Sequence, residues 1–329
     1  MAHNLSSKRN HNSPKIGIIG AGNIARHHME AAKASGLELE AICGLPNSVR
    51  AKTLGDEFGV KNICQDINQL LNSKLDAVIV CSSTESQIEV LMALRDLNLP
   101  VLVEKPVALS SEPIIDLHPS LNSKVMVGFN RRFYSSTQEM KKNLDRSRGV
   151  YFSCNIPEIS WEIQSEEEKR KDFILQNTIH IFDLLNYLFG EVEEFFYKGK
   201  SNSQVNEKII HFSTINGHTG LISLTFGIPD NPSITANLPG KRLTLLPIEI
   251  FKEFEGLEMK KIGKVNKTYK PIETTTWLPQ DVDTVYKAGF VMQMQEFRKF
   301  IDGDPLSIGA NLSDAYKAIR LAEVVNDIY

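Results

Sequence analysis

Cysteine is scarce. The 329 residues contain four, Cys43, Cys64, Cys81 and Cys154, and no two of them form a CxxC pair or part of a regular framework. That spacing argues against a disulfide scaffold and against a zinc ribbon. Three of the four lie in apolar, strand-like runs, where a thiol behaves as a small hydrophobe, and the set suits a reducing cytoplasm. An excess of one charge is missing too. With 37 basic and 40 acidic side chains the formal net charge is -3, so the basic footprint of a nucleic-acid or membrane-surface binder is absent. No apolar run is long enough to span a bilayer. Met1–Ser13, MAHNLSSKRNHNS, lacks the apolar centre of a secretory signal, and residues 1–14 read as a disordered leader. There is no internal repeat and no low-complexity tract, and no metal is assigned.

What is present is an ordinary globular composition, 42% hydrophobic and 23% charged, on a chain long enough for two domains. From Lys15 to Gly128 short β-rich runs alternate with helix-periodic ones, which predicts an α/β domain with a doubly wound parallel sheet over residues 15–128. Its strands are expected at Lys15–Gly20, Leu37–Cys43, Asn62–Cys64, Ala77–Cys81, Val101–Glu104 and Lys124–Val127. Gly36 and Gly59 stand where helices need a left-handed stop, and Asp66 where a short helix needs a cap. Beyond Gly128 the rhythm changes to an α+β domain, residues 129–329, with a large, mostly antiparallel open sheet. Strands are expected at Val150–Ile156, Phe195–Lys198, Lys208–Thr214 and Thr219–Phe226, with more inside Lys241–Met259. Amphipathic helices are expected at Leu175–Phe189, Phe290–Phe300 and Asp314–Asp327, and Gln164–Lys171 reads as a solvated charged loop or helix start.

The chemistry-bearing stretches fall at the ends of these elements. Strand, glycine turn and helix follow one another in KIGIIGAGNIARHH (Lys15–His28). Gly20 can take a strained turn, Gly22 lets the backbone approach a pyrophosphate, and Asn23 and Ile24 open a helix whose unpaired N–H groups suit phosphates. A glycine turn alone also joins many buried strands to helices. Glu104-Lys105-Pro106 follows an apolar strand, so Lys105 emerges at the carboxyl end of the sheet, where ligands of open α/β sheets bind. It is either a proton-handling lysine or a plain surface one. Asn130, Arg131 and Arg132 suit a polyol, carboxylate or phosphate, or else interdomain salt bridges. His180 titrates near neutrality and, at helical spacing, shares a face with Gln176, Asp183 and Leu184; it is either a proton carrier or a satisfied core residue. After the second strand, Cys43–Arg50 carries no acid to hold a ribose 2′-hydroxyl, whereas Ser48 and Arg50 could receive a 2′-phosphate. The cofactor reads as NAD or NADP, leaning to NADP.

In order along the chain, GAGNIA, CSSTESQ, EKP, GFNRRF and TIHIFDLLNYLFG resemble the Gfo/Idh/MocA family (glucose-fructose oxidoreductase, inositol dehydrogenase, rhizopine catabolism) over almost the whole sequence. The resemblance implies a nicotinamide-binding Rossmann domain, a second domain whose open sheet makes oligomer contacts, and hydride transfer at a carbon of a sugar, nucleotide sugar or cyclitol. It implies cofactor contacts from Gly20, Gly22, Asn23, Ile24, Ser82, Ser83, Thr84, Gln87, Glu104 and Lys105, with Ser48 and Arg50 beside the ribose. Substrate contacts would come from Asn130, Arg131, Arg132, Gln176 and Asn177. Lys105 would lie by the nicotinamide, and His180 would be the histidine of an Asp-x-x-x-His pattern. Gln176 stands at that aspartate and cannot ionise, and Ser82–Gln87 lacks the family's proline and histidine. The alternative is therefore a dinucleotide-binding regulatory or non-redox protein of the same fold. A homodimer or homotetramer is expected, with the alternating apolar residues of Leu221–Phe226 and Leu243–Ile250 buried against a second copy.

Overall fold

The computed structural model describes residues 13–144, 149–158, 167–197 and 208–327. Most of the expected leader, Lys198 and residues 164–166 of the charged stretch lie outside the described residues.

The first sheet contains β1 (Lys15–Ile19), β2 (Glu38–Cys43), β3 (Asn62–Cys64), β4 (Ala77–Val80), β5 (Val101–Val103) and β6 (Val125–Val127). All pairs are parallel, and the order is β3-β2-β1-β4-β5-β6. Helices α1 (Asn23–Ala34), α2 (Val49–Phe58), α3 (Ile67–Leu71), α4 (Thr84–Leu94) and α5 (Glu112–Leu121) link the strands. Because helices cover both faces, β4, β5 and β6 are continuous apolar runs, buried at every residue. Gly59 ends α2 in the left-handed region, φ +71°, and the Asp66 carboxylate accepts the Gln69 N–H at 2.9 Å to cap α3, as the sequence predicts. This strand order is the Rossmann order, with its switch point between β1 and β4 and a crevice outside their carboxyl ends.

The 3-10 turn Asn130–Phe133 and α6 (Ser135–Leu144) lead into β7 (Tyr151–Glu158). α7 (Glu167–Phe173), a π-helical turn Ile174–Thr178 and α8 (Ile179–Phe189) follow. Then come β8 (Val192–Tyr197), β9 (Lys208–Thr214), β10 (Thr219–Phe226), β11 (Ser233–Leu238), β12 (Lys241–Leu245), β13 (Phe251–Ile262) and β14 (Asn266–Trp277). The eight strands run β14-β13-β12-β11-β7-β10-β9-β8, antiparallel except for β7 beside β10. The chain closes with α9 (Asp281–Val285), α10 (Phe290–Ile301) and α11 (Leu312–Asp327). The absence of a Cβ at Gly220 lets the Phe152 ring lie within 2.3 Å of where one would stand. That ring stacks on Phe189 of α8 at 4.2 Å, tying sheet to helix.

Three expectations need correction. Ile222, Leu224, Phe226, Leu243 and Leu245 are buried in this chain's own core, against α8 and α11 among others, so they are not available to a second copy. Strands β11 and β14 and helix α6 escaped the sequence reading: β14, NKTYKPIETTTW, is exposed along nearly its whole length and is held by pairing with β13 rather than by an apolar face. The charged stretch is helical from Glu167, the helix start being one of its two readings, but Arg170 is buried rather than solvated.

The last helices return to the first sheet. Phe290, Val291, Met294 and Phe297 of α10 share a core with Ile16, Ile18 and Met29, and Arg298 donates to the Ser35 carbonyl at 2.7 Å. Ala315, Ile319 and Ala322 of α11 share the other core with Val103, Leu117 and Leu184. These contacts fix the two sheets around one groove.

Candidate functional site

Two clefts lie along the carboxyl edge of the first sheet. One, of about 720 Å³, is lined by Gly20, Ala21, Gly22, Ser48, Arg50, Ser82 and Ser83 among others. The other, of about 410 Å³, is lined by Ile24, Thr84, Glu104, Lys105, Arg131, His180 and neighbours, and shares Ser82 and Ser83 with the first. Together they form one groove crossing the switch point. Gly20 has φ +100°, and a Cβ there would lie 2.4 Å from the Cys81 carbonyl oxygen, so the fold itself requires glycine. At Gly22 nothing in the chain comes within 4 Å of an added Cβ. The space it leaves opens into the groove, at a helix start with no side-chain cap and no acid in its first turn. Ser48 spends its hydroxyl capping α2, accepting from the Ala51 N–H at 3.2 Å, while Arg50 is exposed and lines the same cleft.

Lys105 is set by what lies behind it. The Glu104 carboxylate, nearly buried, contacts His28 Nε2 at 2.6 Å and accepts the Lys105 backbone N–H at 3.1 Å. Burial pushes the Glu104 carboxyl up, but His28 and Lys105 outweigh it and hold it below its usual value. Gln87, buried, is oriented so that its amide donates to the carbonyls of Glu104 at 2.7 Å and Pro106 at 3.1 Å. Glu104 and Gln87 thus line the cleft while serving the loop that carries Lys105. Lys105 Nζ crosses the groove and donates to the Gln176 backbone carbonyl at 2.7 Å. Its pKa is lowered, chiefly by burial, with Glu104 opposing and Arg131 and Lys287 adding to the fall.

His180 is 8% exposed and sits edge-on to Phe129 at 6.0 Å. Its Nδ1 has no partner among the described residues. Burial, then the charges of Lys105, Arg131 and Lys287, hold its pKa well below the ordinary histidine value, so the ring is neutral at pH 7 and able to accept a proton.

Arg131, Asn130 and Asn177 line this cleft as expected. Asn130 also donates to the Ala288 carbonyl at 2.9 Å. Arg132 does not join them. It is buried, and its Nε and Nη2 grip Asp183 at 2.6–3.1 Å, while Nη1 reaches Ile308 O and Asp314, both at 3.3 Å. Burial works against its charge, but the two aspartates prevail and hold it above its usual range. Burial also drives Asp183 up to about 6, with Arg132 pulling the other way, so the pair is ionised at neutral pH. Of the alternatives the sequence left open, a salt bridge rather than a substrate ligand is realised at Arg132, but its partners Asp183 and Asp314 lie with it in residues 129–329, so it is not interdomain, and Asp183 belongs to it rather than to His180.

Gln176 also departs from expectation. The π-helical turn Ile174–Thr178 widens the helix ahead of α8, which breaks the i, i+4 spacing used to place Gln176 beside His180. The Gln176 side chain is exposed and is not among the residues lining the cleft; Asn177 is. Asn177 Nδ2 and Thr178 Oγ1 both donate to Glu158, at 3.0 and 2.6 Å. Burial raises the Glu158 pKa, against the pull of Thr178, Asn177 and Arg131. The sequence reading missed Glu158, His28, Tyr134, Lys287 and Phe290. A lone acid ending an otherwise uncharged strand, YFSCNIPE, is a signal that could have found Glu158; Lys287, in the turn before α10, gives none.

With the geometry in place, residues 14–143 match the family described as "Oxidoreductase family, NAD-binding Rossmann fold". Over 198 residues the chain is 29% identical to myo-inositol 2-dehydrogenase of Thermotoga maritima, covering 56% of this chain and 58% of that protein. It is 27% identical over 219 residues to the uncharacterized oxidoreductase YrbE of Bacillus subtilis, covering 64% and 63%. The matched stretch thus spans under two thirds of these relatives' length. Among solved structures, UDP-N-acetylglucosamine 3-dehydrogenase of Acidithiobacillus ferrooxidans superposes with a TM-score of 0.74 at 14% identity, covering 96% of this chain and 97% of that one. A dehydrogenase of Clostridium difficile gives 0.73 at 22%, covering 97% and 100%. These two likenesses bear on the fold alone.

Proposed function

We propose that the chain, whose residues 14–143 match a family of NAD-binding Rossmann-fold oxidoreductases, is a member of the Gfo/Idh/MocA family and an NAD(P)-dependent oxidoreductase acting on a hydroxyl or ketone carbon of a sugar, nucleotide sugar or cyclitol. The observation that carries this reading is the convergence of Lys105 and His180 in a cleft continuous with the glycine turn. The residues fit a dinucleotide: the space at Gly22 and the uncapped start of α1 suit a pyrophosphate, and Ser82, whose buried Oγ lacks a partner among the described residues, lies midway along the groove. Gly20, Gly22, Asn23, Ile24, Ser82, Ser83 and Thr84 would hold it, and Arg50 beside Ser48 supports a 2′-phosphate, hence the lean to NADP. When bound, the nicotinamide supplies the hydride acceptor or donor.

The rest of the chemistry belongs to the chain. Neutral His180 takes the hydroxyl proton during oxidation and returns it during reduction. Lys105, held by the Gln176 carbonyl and by the Glu104 loop, presents its charge to the oxygen and stabilises a developing alkoxide. Asn130 and Asn177 orient neighbouring hydroxyls, Asn177 itself being positioned by Glu158. A homodimer or homotetramer in the cytoplasm fits this reading. The outward residues Tyr151 and Ile209 and the exposed Leu257, Met259, Tyr269 and Ile272 of the β13–β14 hairpin would be covered by the second copy. Purified protein should change nicotinamide absorbance at 340 nm with a member of a sugar and polyol panel. Lys105→Met should lower kcat by roughly 10²-fold or more with dinucleotide affinity kept; full activity in that variant overturns the assignment.

A further inference from the structure

We infer that the substrate carries an oxyanion, a carboxylate or phosphate, which Arg131 and Lys287 receive while its reacting hydroxyl meets His180. This rests on the dehydrogenase reading above and narrows its substrate class. The cleft of about 410 Å³ has three cationic side chains in its lining, Lys105, Arg131 and Lys287, and one carboxylate, Glu104. That carboxylate is committed to His28 and to the Lys105 backbone. The amine of Lys105 is taken by a carbonyl. The side chains of Arg131 and Lys287 make no hydrogen bond or ion pair among the described residues, and the Lys287 ammonium lies 5.4 Å from the centre of the Phe290 ring.

The surrounding acids do not restore the balance. Glu158, on β7, feels the charge of Arg131, but its hydrogen bonds go to Asn177 and Thr178. Asp283 accepts the Gly289 N–H at 3.0 Å, and both it and Glu249 act on Tyr134; none of these three lines the cleft. Like charges gathered in one partly desolvated cleft oppose one another; burial is the main cause of the depressed pKa of Lys105 and of His180, and the neighbouring cations add to it. An anion relieves that repulsion, and a neutral polyol leaves it standing. The planar fork of Arg131 suits two oxygens of one carboxylate or phosphate, with the Lys287 ammonium as a second point charge. The cofactor's pyrophosphate does not account for these cations, because the glycine turn lines the other cleft, to which none of the three contributes.

The test is titration calorimetry on the full chain saturated with its preferred reduced cofactor, using D-gluconate, D-glucuronate and D-glucose 6-phosphate against D-glucose and myo-inositol, with 340 nm turnover on the same panel. At least one anionic probe is expected to bind roughly 10-fold or more tighter than the neutral ones. Arg131→Gln and Lys287→Gln should each erase most of that preference while leaving cofactor affinity and the unfolding curve in place. Preference for the acids over the sugar phosphate identifies a carboxylate, and the reverse a phosphate. Equal or tighter binding of the neutral probes, no binding of any anion, or an anion preference that survives both substitutions overturns the inference. Weakened cofactor binding in the two variants would assign the cations to the dinucleotide and also overturn it. Turnover of neutral sugars alone leaves the dehydrogenase reading standing without the inference. Anion binding that never changes nicotinamide absorbance leaves the inference standing without the dehydrogenase reading.

Discussion

Replacing Arg132 by methionine distinguishes a substrate ligand from a structural ion pair. The guanidinium lies between the turn Asn130–Phe133, helix α8 and helix α11, with side-chain exposures of 5% for Arg132 and 1% for Asp183. It also covers the Tyr187 ring at 4.9 Å. Methionine fills the volume but leaves the Asp183 carboxylate buried without its partner, which costs about 3–5 kcal/mol. Since whole domains are stable by only about 5–15 kcal/mol, unfolding of Arg132→Met by urea or heat should begin far earlier than in the parent, with a melting temperature lower by roughly 10 °C. Losing the cation raises the Asp183 pKa further above its unfolded value. A carboxyl raised in this way is at its most favourable below the unfolded pKa and becomes a liability as pH rises through the folded one. The deficit should therefore shrink as pH falls from 7 towards 4. Arg132→Met combined with Asp183→Leu, which removes both charges, should recover most of the loss. An unchanged unfolding curve together with weaker sugar binding would refute the reasoning and return Arg132 to the substrate.

Other outcomes follow from the same geometry. Gly22→Ala should leave apo stability nearly untouched, because its Cβ meets nothing, yet weaken dinucleotide binding in a fluorescence titration by roughly 10-fold or more. Gly20→Ala, forced into φ +100° against the Cys81 carbonyl, should lose about 1–3 kcal/mol in denaturant unfolding. Because His180 is held below its usual pKa, the acid limb of the pH–rate profile should lie well under pH 6.5. In Lys287→Gln, with one repelling cation gone, that limb should move to higher pH, and an unmoved limb would remove His180 from the proton's path. Arg50→Glu should invert any preference of the protein for NADPH over NADH, read as a ratio of dissociation constants.

The sequence by itself determined the Rossmann sheet and its glycine turn. Those strands are buried on both faces, so their apolar runs, glycine stops and caps are local signals that need no knowledge of distant partners. Lys105 was legible for the same reason, since a residue directly after a parallel strand has only one end of the sheet at which to emerge. The tertiary structure alone decided which of two adjacent residues reaches the groove. Arg131 and Arg132 are chemically identical in sequence, and a 3-10 turn sends one to the cleft and the other to Asp183. Of the expected pair Gln176 and Asn177, only Asn177 lines the cleft, because a π-helical turn shifts the helical register by a fraction of a turn. Lys287 joins Arg131 across more than 150 positions of chain because α10 packs back on α1. Side-chain direction at a turn, and proximity between distant segments, are set by packing, which no local pattern of residues encodes.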